Sequence, residues 1–351
     1  MDAKIIQAAT ALKDKTVARR RDFHKHAEVA WTEFRTAAYV AQTLTDLGYQ
    51  VSTGVDVHDE ASMMGVPSKA ELEKQMQRAI DQGADKAWVD KMAGGKTGVV
   101  GVMKFAKPGP TVALRVDMDA NDLSEASEEK HRPFREGFSS VNKGAMHACG
   151  HDGHTSIGLA VAEVLAGLKD ELAGTIKMIF QPAEEGVRGA KAMMAKGVVD
   201  DVNYVVGMHL GVNLRKTGQV ACRTEGFLAT TKVDATFTGV PAHAGAAPET
   251  GKNAILAACT ATLNLHAISR HSQGISRINV GVIQGGSGRN VIPANAVIKV
   301  ETRGVNSEIN EYVYNEAVRI IEAAAMMQGC SVKMELMGGA AGCGNDDALV
   351  E

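Results

Sequence analysis

The ten residues Met146-His-Ala-Cys-Gly-His-Asp-Gly-His-Thr155 hold three histidines, a cysteine and an aspartate, a concentration of metal-ligand chemistry found nowhere else in the chain. Cys149 and His151 stand two apart, and the residues from Thr155 to Leu168 have helical periodicity, so the cluster reads as a loop that runs into a helix start. A structural zinc knuckle would want four ligands in two short, cysteine-rich pairs. Here the loop must recruit partners from far along the sequence, and that requirement constrains the fold, because distant segments have to deliver their side chains to one place. The pattern favours a catalytic site. The competing explanation is that the histidines cap the helix and line a core.

The rest of the first two thirds of the chain suggests where those partners come from. Residues 19–48 read as one or two helices. Residues 58–95 are charged, poor in β-branched residues and read as a helical insertion that ends at Gly94 and Gly95. Strands are expected at 97–105, 111–116, 175–180 and 204–209, with helices at 155–169 and around 188–196, and this alternation predicts a mostly parallel α/β sheet. Three of the strands end in chemistry: Asp117 and Asp119 after one, Glu184 and Glu185 after the next, His209 after the last. Ligands of open α/β sheets sit beyond the carboxyl ends of the strands, so these groups and the Cys149/His151 loop are expected to converge on one crevice. Two adjacent glutamates at a strand end are ordinarily a solvated turn, and a lone histidine there is ordinarily a satisfied core residue. Beside a metal-type loop, however, one carboxylate can bind an ion while its neighbour accepts a proton from the attacking water.

From 222 to 335 the expected order is strand (232–238), helix (252–270), strand (276–284), strand (294–303), helix (307–328), strand (331–336), a ferredoxin-like βαββαβ unit. The domain expectation is therefore a sheet domain over 1–221, to which 336–351 returns, and an inserted domain over 222–335. Two loops of the inserted unit carry polar residues that turn geometry does not explain: His243 in Gly239-Val-Pro-Ala-His-Ala-Gly245, and Arg289 and Asn290 in Gly285-Gly-Ser-Gly-Arg-Asn-Val-Ile-Pro293. Such loops can reach a substrate. Gly285 to Gly288 precedes a strand and lacks the lysine of a phosphate loop, so nucleotide binding is not expected.

Composition narrows the function classes. At 351 residues the length suggests about two domains. A net charge of −3 without a long basic run gives nucleic acid or an anionic membrane no electrostatic handle. No apolar run approaches the roughly 20 residues needed to span a bilayer, and the first residues lack the layout of a signal peptide, so a cytoplasmic protein is expected. Five widely spaced cysteines argue for free thiols in a reducing compartment.

Four stretches in this order, Leu114-Arg-Val-Asp-Met-Asp-Ala120, Met146 to Thr155, Gln181-Pro-Ala-Glu-Glu-Gly186 and Gly207-Met-His209, resemble the successive motifs of the metal-dependent aminoacylase, carboxypeptidase and indole-acetyl-amino-acid hydrolase family of amidohydrolases. The resemblance runs from about 15 to 340 and includes the polar insertion at 58–95 and the stretches beginning at His131 and Val291. It implies a zinc-peptidase-like α/β catalytic domain with helices on both faces of its sheet, and an inserted ferredoxin-like dimerisation or lid domain. It also implies two divalent ions, manganese or zinc, held by Cys149, His151, Glu185 and His209, with Glu184 as general base and Asp117 and Asp119 as a supporting acidic pair. By the same resemblance His243 stabilises the oxyanion in a partner subunit's site, while Arg289 and Asn290 hold the substrate carboxylate. The implied activity is cleavage of an N-acyl amino acid, p-aminobenzoyl-glutamate foremost, by a homodimer or a heterodimer with a homologous subunit.

Members of that family continue past the position of Glu351 and supply a last metal-ligand histidine, whereas no histidine follows His271 here. The resemblance thus implies a shortened polypeptide with one metal under-liganded. Hydrolysis of another N-acyl amino acid, or service as an inactive or regulatory subunit that donates His243 to a complete partner, are the alternatives.

Overall fold

The structure of the chain is a computed structural model that describes residues 1–211, 214 and 216–351. It separates into unit 1, Met1–Arg215, and unit 2, Lys216–Glu351. Unit 1 runs α1 (Asp2–Ala11), α2 (Lys13–Lys25), α3 (Phe34–Asp46), β1 (Gln50–Thr53), α4 (Lys69–Asp81), α5 (Lys86–Lys91), β2 (Val99–Lys104), β3 (Lys107–Asp117), α6 (Arg132–Arg135), α7 (His151–Gly167), β4 (Ala173–Gln181), α8 (Gly189–Ala195) and β5 (Tyr204–Gly207). The insertion is helical as expected. Ser68 caps α4 by accepting from the Glu71 amide, Asp85 caps α5 by accepting from the Ala87 amide, and Gly94 and Gly95 both take positive φ after α5. Residues 2–11, ahead of the first helices expected from sequence, form α1.

The five strands lie in the order β1-β2-β4-β3-β5. β3 is parallel to β4 and β5, whereas β2 is antiparallel to both β1 and β4. The expectation of a mostly parallel sheet is therefore corrected to a mixed one. The chain reverses at Phe105 and Ala106, between β2 and β3, without pairing those two strands. β4, returning through α7 to lie parallel to β3, fills the place between them and so meets β2 antiparallel.

Alternate residues of the strands feed two apolar layers. On one face Val99, Val116, Met178 and Phe180 pack with Phe34, Leu44 and Leu159 of α3 and α7; on the other Val100, Ala113 and Ile179 pack with Met193 of α8. Met178 and Phe180 are fully buried, and each such side chain stabilises the fold by about 1.5–3 kcal/mol. Because β3, β4 and β5 run parallel, their carboxyl ends lie along one edge of the sheet.

Unit 2 contains β6 (Ala229–Thr238), β7 (Ala242–His243), α9 (Ala254–Leu265), β8 (Ser276–Gly285), β9 (Val291–Ile292), β10 (Asn295–Gly304), α10 (Ser307–Met327), β11 (Ser331–Ala340) and α11 (Asp347–Val350). Its main sheet is antiparallel in the order β11-β6-β10-β8, which is the ferredoxin-like arrangement the element order implied. Val233, Phe237 and Ile298 of that sheet form a core with Ala257, Ala261 and Leu265 of α9 and Ala317 and Ile321 of α10. Residues 336–351, read from sequence as a return to the first domain, group with unit 2. Among the described residues no helix is long and apolar enough to cross a membrane.

Candidate metal centre

Each strand end of unit 1 presents its side chains on a short, stiff connection. Asp117 closes β3 and is fully buried; Oδ1 accepts from His154 Nδ1 at 2.6 Å and Oδ2 pairs with Arg115 Nη1 at 2.8 Å. Burial alone would raise its pKa, but the His154 hydrogen bond and the Arg115 charge bring it down to about 2, so it is a carboxylate. Asp119, also buried, spends both oxygens on the next strand's turn: Oδ1 accepts from the Glu184 amide at 2.9 Å and Oδ2 from the Glu185 amide at 2.8 Å. One aspartate therefore sets a histidine and the other sets the two glutamates.

The Glu184–Glu185 turn is conformationally forced. Ala183 and Val187, which flank it, have φ of +49° and +63°, a region that non-glycine residues enter at a cost of about 1–2 kcal/mol and that a β-branched valine enters least readily. Strain of this kind persists where surrounding contacts over-determine it. Glu33, at the start of α3, supplies one such contact by accepting from the Ala183 amide at 2.8 Å through Oε1.

α7 starts at His151, four residues ahead of the helical run read from sequence, after Gly150 takes φ of +98°. His151 and His154 thus stand three apart on one helical face. His151 Nδ1 donates to the Asp119 carbonyl at 2.8 Å, leaving Nε2 buried with no hydrogen-bond partner. That atom lies 3.9 Å from Glu184 Oε2, 3.9 Å from Glu185 Oε1 and 3.7 Å from Asp117 Oδ1, too far for hydrogen bonds. Glu185 Oε1 likewise has no partner. Cys149 Sγ is 3.4 Å from His209 Nε2, whose ring is fixed by donation from Nδ1 to the Leu210 carbonyl at 2.8 Å. The donor atoms form three overlapping groups: Cys149, His151 and His209; Asp117, His151 and His154; His151, Glu184 and Glu185.

This donor set fits divalent cations. Sulfur, imidazole nitrogen and carboxylate oxygen are the ligands of zinc-type sites, and the orphaned Nε2 and Oε1 atoms face one another across a gap of the size two metal-ligand bonds would span. The electrostatics agree. Burial would lower the pKa of His151, but the Asp119 hydrogen bond and the Asp117 charge raise it to about 9, while burial and the charges of Glu185 and Glu184 push the Cys149 thiol up to about 12. A local excess of negative charge retains protons at the positions where a cation would be welcome. Burial and the nearby Asp119 charge raise the pKa of Glu184 as well.

Unit 1 brings together all of the sequence-selected residues it contains: Asp117, Asp119, Cys149, His151, Glu184, Glu185 and His209. Unit 2 brings its own three together. β7 pairs with β9, so His243 stands opposite Val291, and the Ala244 amide donates to the Asn290 carbonyl at 3.0 Å. His243, Arg289 and Asn290 are exposed, and the Gly245 amide donates to His243 Nδ1 at 3.1 Å, which leaves Nε2 to carry the proton in the neutral ring.

Sequence reading missed two residues of this centre. His154 was visible in the motif, and its spacing from His151 was the available signal; both of its nitrogens are used, Nδ1 on Asp117 and Nε2 in accepting from the Leu210 amide at 2.8 Å. Glu33 carried no local signal, because Trp31-Thr-Glu33 reads only as the approach to a helix.

Known proteins resemble the chain along most of its length. The profile of Peptidase family M20/M25/M40 matches residues 113–348. The chain is 55% identical over 321 residues to the indole-3-acetyl-aspartic acid hydrolase of Enterobacter agglomerans, covering 92% of this chain and 73% of that protein. It is 53% identical over 334 residues to one of the subunits of the p-aminobenzoyl-glutamate hydrolase of Escherichia coli, covering 95% and 76%. The crystal structure of an aminobenzoyl-glutamate utilization protein from Klebsiella pneumoniae superposes with a TM-score of 0.86 at 44% identity, covering 99% of this chain and 81% of that one. A profile match across most of the chain and relatives at this identity lead to one assignment: the chain belongs to peptidase family M20/M25/M40 and is a hydrolase of that family.

Proposed function

We propose that this chain hydrolyses the amide bond of an aromatic N-acyl derivative of an acidic amino acid, with p-aminobenzoyl-glutamate as the leading substrate and p-aminobenzoate and glutamate as products. The observation that carries the reading is Glu184: a half-buried carboxylate of raised pKa, fixed through its own amide by Asp119, beside a set of unpaired metal-type donors. The two relatives above bear on the substrate, since the names of both describe hydrolysis of an aromatic acyl group joined to aspartate or glutamate.

Cys149, His151, Glu185 and His209 would hold two divalent ions, manganese or zinc, which when bound polarise the amide carbonyl and acidify the attacking water. Glu184 accepts the proton of that water and delivers it to the departing amine nitrogen; a carboxyl whose pKa is raised toward neutrality suits both halves of the transfer. Asp119 anchors the Glu184–Glu185 turn through both amides, and Asp117 fixes the His154 ring through Nδ1. Arg289 and Asn290 recognise the substrate's carboxylates, for which a guanidinium offers two parallel donors, and His243 donates from Nε2 to the developing oxyanion. We assign His243 to the site of a second protomer, an identical copy or a homologous chain.

The test is release of p-aminobenzoate from p-aminobenzoyl-glutamate by the purified chain with added manganese, run beside indole-3-acetyl-aspartate. Glu184→Gln should lower kcat by a factor of about 10²–10⁴ with metal content unchanged. Turnover of neither conjugate by metal-loaded protein, or full turnover by Glu184→Gln, would overturn the proposal.

A further inference from the structure

The helical insertion builds a cavity of its own. It holds about 660 Å³, within the range of roughly 300–1,000 Å³ typical of small-molecule sites. Met63 and Pro67 of the loop before α4, Leu72 and Met76 of α4, and Ala93 after α5 form apolar walls. None of the metal-type donors of the centre lines it.

Four charged side chains line it, Glu60, Lys69, Glu73 and Lys96; Lys69 and Glu73 are exposed and pair with each other, and of the four only Lys96 is buried. Lys96 is only 8% exposed, and a lysine this far from water is normally paired. Its Nζ donates to the Ala93 carbonyl at 3.3 Å and forms an ion pair with Glu60, whose own side chain is 69% exposed. The ammonium is thus held by the fold, whereas its carboxylate partner reaches in from solvent. An exposed side chain contributes little to such a pair because it loses rotamer freedom on holding the geometry, so an incoming carboxylate can take its place at small cost. The apolar part of the walls, with Met63, Leu72 and Met76, suits a flat ring: thioethers make favourable contacts with ring edges, and their flexible side chains conform to ring shape.

We propose that this cavity is a binding site for an aryl carboxylate, with the carboxylate on Lys96 in place of Glu60 and the ring between Met63, Leu72 and Met76. The cavity touches the catalytic turn through its walls. Met63 packs against the small apolar cluster of Ala30, Trp31, Ala183 and Ala192, which includes the residue before Glu184, and Arg188 Nη1 donates to the Gly65 carbonyl at 3.2 Å in the same loop. Occupancy therefore bears on the turn that carries Glu184 and Glu185 without contacting them.

The experiment uses the full chain stripped of metal by a chelator, so that it reads this site whether or not the hydrolytic reading holds. Benzoate is titrated while the methionine methyl resonances are followed, with benzylamine as the charge-reversed probe. Saturable shifts of the Met63 and Met76 methyls with benzoate alone are expected, weakened at least about ten-fold by Lys96→Met. Glu60→Gln removes the competing carboxylate from an exposed position that tolerates change, and should tighten benzoate binding by up to about five-fold. Absence of those shifts, equal binding of benzylamine, or a Glu60→Gln chain that binds benzoate no better than wild type overturns the proposal. Hydrolysis lost with benzoate binding kept would count against the amidohydrolase reading alone.

Discussion

Glu33 shows what a single residue contributes to the centre without touching it. It is fully buried, and burial together with the Asp119 charge pushes its pKa up to about 8. At neutral pH it is therefore largely a neutral acid. Its surroundings accommodate that state: Oε1 accepts from the Ala183 amide, and the Thr97 hydroxyl, which donates to Oε2 at 2.6 Å, also has the Gly95 carbonyl at 3.4 Å, so it can turn there and accept a hydrogen bond from a protonated Oε2. The unfolded carboxyl titrates near 4.5 and the folded one near 8. Between these values the folded state binds more protons, and stability falls as pH rises, by at most about 1.4 kcal/mol per pH unit. Glu33→Gln keeps both hydrogen bonds and has no proton to lose, so its unfolding free energy should be flatter than wild type's from pH 5 to 8. Glu33→Ala leaves the Ala183 amide unpaired and should cost about 1–3 kcal/mol. Denaturant melts of the three proteins across that pH range check both statements, and a Glu33→Gln slope equal to that of wild type would sink them. The residues with chemistry at strand ends were legible in the sequence because each follows an apolar run. Glu33 was not, because its partners lie 150 and 64 residues away.

At the scale of elements, α7 holds the centre together. It carries His151 and His154 on its first turn and lies on the sheet so closely that a Cβ at Gly158 would stand 3.0 Å from Val116 Cγ2 and 3.1 Å from Phe180 Cε1. Val116 and Phe180 are fully buried and cannot yield. Gly158→Val should therefore destabilise unit 1 by about 1–3 kcal/mol and, by lifting the helix, weaken manganese binding. Gly167, at the far end of the same helix, has nothing within 4 Å of its would-be Cβ, so Gly167→Ala should be neutral or stabilising by up to about 1 kcal/mol. Thermal melts with a manganese titration separate the two, and equal behaviour of the pair would remove the packing argument. The helix start was misplaced from sequence because Gly150 and Gly153 read as loop. The tertiary anchors that stabilise the first turn, Asp117 on His154 and the Asp119 carbonyl on His151, belong to another element.

For the whole molecule, topology was legible where chain reversals carry local turn signals and illegible where they do not. The βαββαβ order of unit 2 followed from alternating periodicity between glycine- and proline-marked turns. The mixed sheet of unit 1 did not, because a reversal as short as Phe105–Ala106 ordinarily makes a hairpin, and only the later arrival of β4 separates β2 from β3. The two units draw on separate cores, one around Phe34, Met178 and Phe180, the other around Phe237, Leu265 and Ile298. Ile298 is fully buried in β10, flanked by β6 and β8. Ile298→Ala should remove about 2–5 kcal/mol from the unit that contains it. Amide exchange followed by mass spectrometry then has a definite expectation: peptides from β6, β8 and β10 lose protection, while those from β3 and β4 retain theirs, because local opening draws on the stability of its own cooperative unit. Loss of protection in β3 and β4 to the same extent would mean that the chain opens as one cooperative body, with the metal-type centre no more durable than the ferredoxin-like unit that follows it.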